Sequence, residues 1–592
     1  MSSSSVRPPV VPERTASALG AAVVAWGLLL AVVTFARWPT LSWSVGATCL
    51  GTVYQAVNAV PTVLFDLAAG GALASVSLPM LVGALGRGRP RDVARLGSAV
   101  LTWTVVVLGV CSVAVGLAAS PLAGLLVGGS ACTGAVDVAA DLLRWFAPQL
   151  VLLGAGVVLG GILRAHGRPL AAVAGAALGS LVVVGSLVWF HRLATVSDAI
   201  GVPEGHLAVL AGGTTLAALV VAAVPAVHLW RTGVALRPTL RAPVALAAET
   251  RGVAQALVLT ALGLVFATVV AVVVTFRSGV GVLPVLAYLQ GVLLVPYAAL
   301  LLPVVADALP RLAGVPTAPA DPAVKADPAV KADPAVPAGS EAHVDPQAHV
   351  DREATTVLTR SARHREAPSV GALAGRARAA TAVGAVAASA VAAAAIPVGG
   401  FFSALDAARE TTQGRAALDA LAPGLWAGAP TLLLLGLVGV LCAALYVRGR
   451  PFVAGGAVAA AWLIAGGVTL VAVMPGATPT RTLVVLGVAP VLGLTLATLD
   501  LLAATSRAWG PGALAGLGRT LSVGVLAAAA GAAAGILVGR WWLVEGPWVN
   551  AGVAVALAVL GAAVTGGVLV VADRGTAGQL WGLVRPAGQG AE

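Results

Sequence analysis

Thr52, Gln55, Asn58 and Asp66 fall within one apolar stretch, 45–86, grouped around Pro61. A polar side chain in hydrocarbon is costly unless it pairs or faces water. The cluster therefore reads as the wall of a cavity, or as groups paired with neighbouring backbone. Arg277, Tyr288, Gln290 and Asp307 form a second group around an apolar run at 281–309, and Arg144, Pro148 and Gln149 a third. Arg144, Asp307 and Asp500 sit near the ends of apolar runs, where capping of helix termini accounts for them. The chemistry on offer is binding rather than bond-making. Loops at 191–206 and 403–424 carry His191, Asp198, Glu204, His206, Asp406, Glu410 and Asp419 without a D-x-D or H-E-x-x-H arrangement, a pattern of solvated loop charge. A membrane glycosyltransferase acting on a polyprenyl donor would need such an acidic motif. Gly154, Gly156 and Gly160, like Gly531, Gly535 and Gly539, lie inside apolar helices without a P-loop lysine, and read as small-residue packing faces. No ATPase or dinucleotide-binding signature occurs, so no cofactor is expected, and any transport must draw on membrane potential, an ion gradient or substrate consumption.

The elements that position these residues follow from composition. The 592-residue chain is 59% hydrophobic and only 10% charged, far below the ~25% charge of a soluble domain. About fourteen apolar stretches reach the ~20 residues that a bilayer core requires, giving an all-α polytopic membrane protein. They lie near 17–36, 45–86, 97–118, 142–163, 169–190, 207–230, 252–275, 281–309, 379–402, 425–447, 452–474, 482–506, 520–539 and 550–572. The second is long for one straight helix, and Pro61 with Gly70 and Gly71 marks where it bends or breaks. Taken as one span, it leaves 27 of the 35 Lys and Arg on the side of the N-terminus. The exceptions are Arg37, Arg144, Arg192, Arg277, Arg409, Arg415, Arg481 and Arg540. The positive-inside rule then places both termini, 1–16 and 574–592, in the cytoplasm. The net charge of +11 reflects this sidedness and not a nucleic-acid partner. The first span is too long for a signal peptide and lacks a small-x-small cleavage site.

Residues 312–375 depart from the pattern. Three A-D-P-A-V-K copies begin at Ala320, Ala326 and Ala332, followed by two A-H-V-D copies. Proline, alanine and charge without aromatics cannot bury a core, so this is a disordered cytoplasmic linker between eight spans (17–311) and six (376–573). His343 and His349 belong to the repeat rather than to a metal site. Cys49, Cys111, Cys132 and Cys442 are scattered, without ligand spacing, and suggest neither zinc nor a disulfide framework.

Asn58–Leu81 resembles the signature of the MurJ/MviN lipid II flippases, with Pro61, Gly71, Ala72 and Pro79 in register. Further matches follow in order: Pro148 through Leu159–Leu163 to Gly167 and Arg168, then Gly233 with Leu236, Arg237 and Pro238, then Leu309–Leu312. The resemblance covers the first eight spans by motif and the last six by topology. It implies two pseudo-symmetric lobes around a central cavity in the plasma membrane. It also implies transfer of an undecaprenyl-pyrophosphate-linked peptidoglycan precursor to the outer leaflet by alternating access, with cell-wall synthesis proteins as possible partners. A pyrophosphate in low dielectric requires a cationic cavity.

Here the sequence departs from the family. The family's first-helix S-R-x-x-G-F-x-R run falls on Val23–Leu30, making both arginine positions, Val24 and Leu30, apolar. The basic residue before the proline falls on Ala59, and the following arginine pair on Phe65 and Asp66. An acidic position falls on Thr52, and the eighth-span arginine near Gly291. Three readings result: a lipid II flippase with substitute charges such as Arg277, a non-transporting paralogue that scaffolds or regulates envelope assembly, or an exporter of a less charged lipid-linked substrate. For transport, the cavity candidates are Thr52, Gln55, Asn58, Asp66, Arg277 and Gln290, and the hinge candidates Pro61, Gly70 and Gly71.

Overall fold

Long runs of Ala, Leu and Val bond their own backbone as helices, which is how a chain crosses hydrocarbon without orphaned polar groups. The computed structural model describes residues 32–65, 90–129, 132–165, 168–194, 200, 203–234, 236–240, 244–312, 370–407, 414–541, 546–573 and 575. Asp66, Gly70, Gly71, Asp198, Glu410, the repeats with His343 and His349, and both chain ends lie outside these residues, as does most of the span at 17–36.

Helix α1 covers 32–44 and α2 Cys49–Phe65. They are followed by α3 (Pro90–Leu117), α4 (Ala119–Val127), α5 (Ala135–Phe146), α6 (Gln149–Ala165), α7 (Pro169–Leu193) and α8 (Glu204–Arg231). Next come α9 (Val244–Arg277), α10 (Val282–Pro296), a π-helical turn (Tyr297–Leu301) and α11 (Leu302–Leu312). After the linker come α12 (Val370–Ala407), α13 (Arg415–Asp419), α14 (Leu421–Gly428), α15 (Pro430–Val447) and α16 (Pro451–Ala472). The chain closes with α17 (Pro479–Trp509), a 3₁₀ turn (Pro511–Leu514), α18 (Leu517–Gly539) and α19 (Pro547–Ala572). Twelve helical stretches among the described residues are long and apolar enough to cross a membrane. Many open on proline, whose missing N–H costs nothing in the first turn. The π turn lies between Pro296 and Pro303, two residues without a backbone donor.

Two expectations change. Helix α2 continues through Pro61 without a break, so the proline's effect there is confined to the one backbone hydrogen bond it removes. Helix α12 starts at Val370, inside the segment read as linker, because Leu373, Ala374 and Ala377 are buried against the bundle.

Helices α2–α8 pack chiefly on one another, and α9–α19 do likewise, with α9 along α16 and α12 along α18 and α19. The groups meet where α2 touches α9 and α10. The glycine runs are packing faces, as read. A Cβ on Gly531 would collide with Thr565 and Gly561, and one on Gly535 with Ala393. In the first group Gly156 and Gly179 pack on Val221. Arg144 is paired near a helix end, at 2.6 Å from Asp141 and 3.1 Å from Ser120.

Candidate functional site

The site is organised by the hairpin between α1 and α2. Gly46, at φ 72°, ends α1 in the left-handed conformation, and its N–H donates to the Leu41 carbonyl at 3.0 Å. Thr48 then caps α2, its Oγ1 accepting from Gly51 N–H at 3.2 Å. This places Ala47 at the tip, pressed into the second helix group. The Ala47 N–H donates to Asp406 Oδ1 at 3.0 Å. Its carbonyl and methyl abut Gly281 and Gly414 so closely that a Cβ on either glycine would collide with them. Gly281, at φ 83°, also donates its N–H to Thr52 Oγ1 at 2.9 Å, while that hydroxyl donates to the Thr48 carbonyl at 2.8 Å. Beneath this closure Tyr288 stacks on Phe402, with ring centroids 4.8 Å apart.

Cys49, first in α2, is disulfide-bonded to Cys132 in the turn before α5, with a Cα separation of 5.9 Å. This corrects the reading of the cysteines. Their spacing carries no signal because pairing is set by which loops share an end of the bundle. Cys111 and Cys442 are free thiols.

Asp406 is a second correction. It is buried at 3% exposure rather than solvated, because α12 extends past Phe402 and carries the carboxylate on the same inward face as Gly399 and Phe402.

Deeper in the seam between the two groups lies a charge that the sequence reading placed at an outer helix end. The Arg37 guanidinium lies 4.2 Å from the centre of the Trp38 ring and near Tyr54. The Trp38 indole packs on Gly291 of α10 at a distance no Cβ would allow. Arg37 is half-buried and forms no ion pair among the described residues. At roughly 1.5 Å per residue, Arg37, Tyr54 and Gly291 lie about 10–15 Å from the hairpin tip, towards the middle of a ~30 Å hydrocarbon core. The family's eighth-span arginine position, Gly291, thus abuts the tryptophan that carries a different arginine. No local pattern marks Arg37; only the packing of α1 on α10 brings it inward.

The predicted site residues separate. Thr52 and Arg277 line one cavity of about 400 Å³ at the hairpin end, with Cys132, Phe276 and Pro475. Thr52 is buried and its hydroxyl is committed to the closure. Gln55 is also buried, with its side-chain Nε2 lacking a hydrogen-bond partner. Asn58 is half-buried further along α2, and Gln290 is exposed on α10 beside Gly291. Neither Asn58 nor Gln290 lines the cavity of Thr52 and Arg277.

The sequence profile of the lipid II flippase MurJ matches residues 41–327. No curated protein matches the sequence. Among solved structures, a lipid II flippase MurJ in an inward closed conformation superposes with a TM-score of 0.62 at 11% identity, covering 93% of this chain and 98% of that one. An inward-facing multidrug resistance MATE family transporter of the MOP superfamily superposes with a TM-score of 0.55 at 14% identity, covering 81% and 95% respectively. At these identities the likeness is one of fold, that of an all-helical multi-pass membrane protein. Residues 41–327 thus match the MurJ lipid II flippase family by sequence, and the chain shares the fold of a MurJ structure over most of its length.

Proposed function

We propose that this chain moves a polyprenyl-pyrophosphate-linked saccharide, lipid II in the family's name, from the inner to the outer leaflet by alternating access. The observation that carries the reading is Arg37. A cation without a carboxylate partner among the described residues, held on an indole at mid-depth between two helix groups, is expensive unless an anion visits it. Transporter sites lie at this depth, between the bodies that rock. Arg37 supplies charge that Val24, Leu30, Ala59 and Gly291 do not. In this scheme the hairpin end is the outer gate. Rocking opens it by parting Ala47 from Gly281, Gly414 and Asp406, with Pro61, Gly70 and Gly71 as the flexible points of the second span.

The disulfide supports the orientation. Such bonds persist on the oxidising side of a membrane, so the hairpin end faces outward and both termini are cytoplasmic. A membrane-impermeant maleimide applied to intact cells should label Cys49 and Cys132 only after reduction; labelling that requires permeabilised cells would reverse the assignment.

The deciding experiment depletes a host's essential lipid II flippase and expresses this chain in its place. Wild type should restore growth, Arg37→Lys in part, and Arg37→Ala not at all. An inserted, stable wild-type protein that fails to rescue would favour the second reading, a non-transporting paralogue. The apolar first-helix positions Val24 and Leu30 support that reading.

A further inference from the structure

A second cavity, about 430 Å³, lies along the same two helices as the Thr52–Arg277 cavity, one helical turn deeper. On α2 the wall passes from Thr52 to Ala56, Ala59 and Val63; on α9 it passes from Arg277 to Val273 and Val269. Every residue lining the deeper cavity is apolar. Val269 and Val273 are 44% and 37% exposed, so the groove is open along its side. Above it, the Arg277 guanidinium is exposed, ends α9, and has no hydrogen bond or ion pair with a described residue. A free cation over a wholly apolar trough is complementary to one kind of molecule, an anionic amphiphile.

Its dimensions narrow the class. From Ala56 to Leu64, where α2 lines this cavity, the helix rises roughly 12 Å, most of the ~15 Å of one leaflet's hydrocarbon. Spread over that length, 430 Å³ accommodates the first part of one hydrocarbon chain rather than the paired chains of a glycerophospholipid. Ala59 sharpens the point. The family signature places a basic residue there, yet in this chain the position lines the apolar groove. The departure that empties the cavity of charge also makes room for a chain.

The geometry points to a lipid site on α2 and α9 at the outer-leaflet end, where Arg277 pairs with the phosphate of a single-chain polyprenyl phosphate and the Ala56–Val63 and Val269–Val273 walls hold its first isoprene units. The site rests on the transport reading, as a station that the lipid occupies beyond the gate. Thr52 joins the gate to the station, its hydroxyl bonded to Gly281 while its side chain forms the cavity wall.

The test uses the full chain in phosphatidylcholine vesicles and a polyprenyl phosphate carrying a photoactivatable diazirine on its second isoprene unit. Label should map to peptides containing 56–63 and 269–273. Arg277→Gln should lower it roughly tenfold, while Arg277→Lys retains most of it. Ala59→Trp, which fills the groove, should abolish it; Val273→Phe serves the same purpose if the tryptophan variant misfolds. Label indifferent to Arg277→Gln and to both groove-filling variants would overturn the site. So would equal competition by phosphatidylglycerol, which would make the groove an ordinary phospholipid contact. Growth rescue separates this site from the transport reading. Rescue without groove labelling discards the site and keeps transport; groove labelling without rescue keeps a lipid site on a protein that does not flip.

Discussion

The hairpin end and the mid-depth seam join the same two helix groups with opposite materials. At the hairpin end the contact is backbone against backbone. Ala47 lies between Gly281 and Gly414, and its N–H and the Thr52 hydroxyl are both satisfied across the junction. At mid-depth the contact is side chain against backbone, with Trp38 on Gly291 and the Arg37 charge left over. One junction is saturated; the other lacks an anion among the described residues. A closure made of a few specific bonds can be opened at a cost of a few kcal/mol, whereas an unpaired cation makes the closed empty state costly until ligand arrives. The contrast separates gate from binding site along one seam.

Removing the seam's charge should have the largest effect. Losing a charge-assisted contact of about 1.5–3 kcal/mol predicts roughly ten- to hundredfold slower transport for Arg37→Ala, measured as lipid II accessibility at the outer face. Hairpin-end closure should be unaffected, and if it loosens as well, the two regions are not separate. Gly414→Leu attacks the other side. Overpacking of about 1–3 kcal/mol against Ala47 should hold the gate ajar, raising thiol-reagent access to a cysteine placed at Ala47 while leaving Arg37 in position. Asp406→Ala leaves the buried Ala47 N–H unpaired, at about 1–3 kcal/mol. It should give the same change in access to a smaller degree, with Asp406→Asn near wild type because an acceptor oxygen remains. The smallest shift belongs to Thr52→Val, which removes the hydroxyl's bonds to Gly281 N–H and to the Thr48 carbonyl. The carbonyl keeps its bond from Thr52 N–H, so the loss is chiefly one neutral hydrogen bond across the junction, about 1 kcal/mol, and should lower growth rescue only slightly.

The transmembrane architecture was legible because hydropathy acts residue by residue. The stretches at 252–275 and 550–572 fall within α9 and α19, and the glycine runs pack as their spacing suggests. The site was legible only in part. Thr52 and Arg277 meet in one cavity, as a shared site would require, yet the Thr52 hydroxyl serves closure. Arg37 resembled an interfacial arginine at a span end, and Asp406 a loop charge, because their surroundings come from helices hundreds of residues away in sequence. The Cys49–Cys132 bond, between residues 83 apart in sequence, escaped because nothing local shows which loops share an end of the bundle. Asp406 alone left a trace: continuing the apolar face of α12 through Gly399 and Phe402 would have carried it inward.

The π turn at Tyr297–Leu301 has a bearing on how this span could have arisen and how it could be edited. A π turn accommodates one residue more than an α-helix of similar path. Each residue turns a helix by about 100°. Deleting a single residue between Ala298 and Leu300 would therefore return the span to continuous α-helix with α10 and α11 left in their present relation. Gly291 would keep its place against Trp38, and Val305 its place on Gly439 of α15. The same deletion two turns to either side would instead turn the rest of the span by about 100°, so this point is where the eighth span can gain or lose one residue without losing its packing.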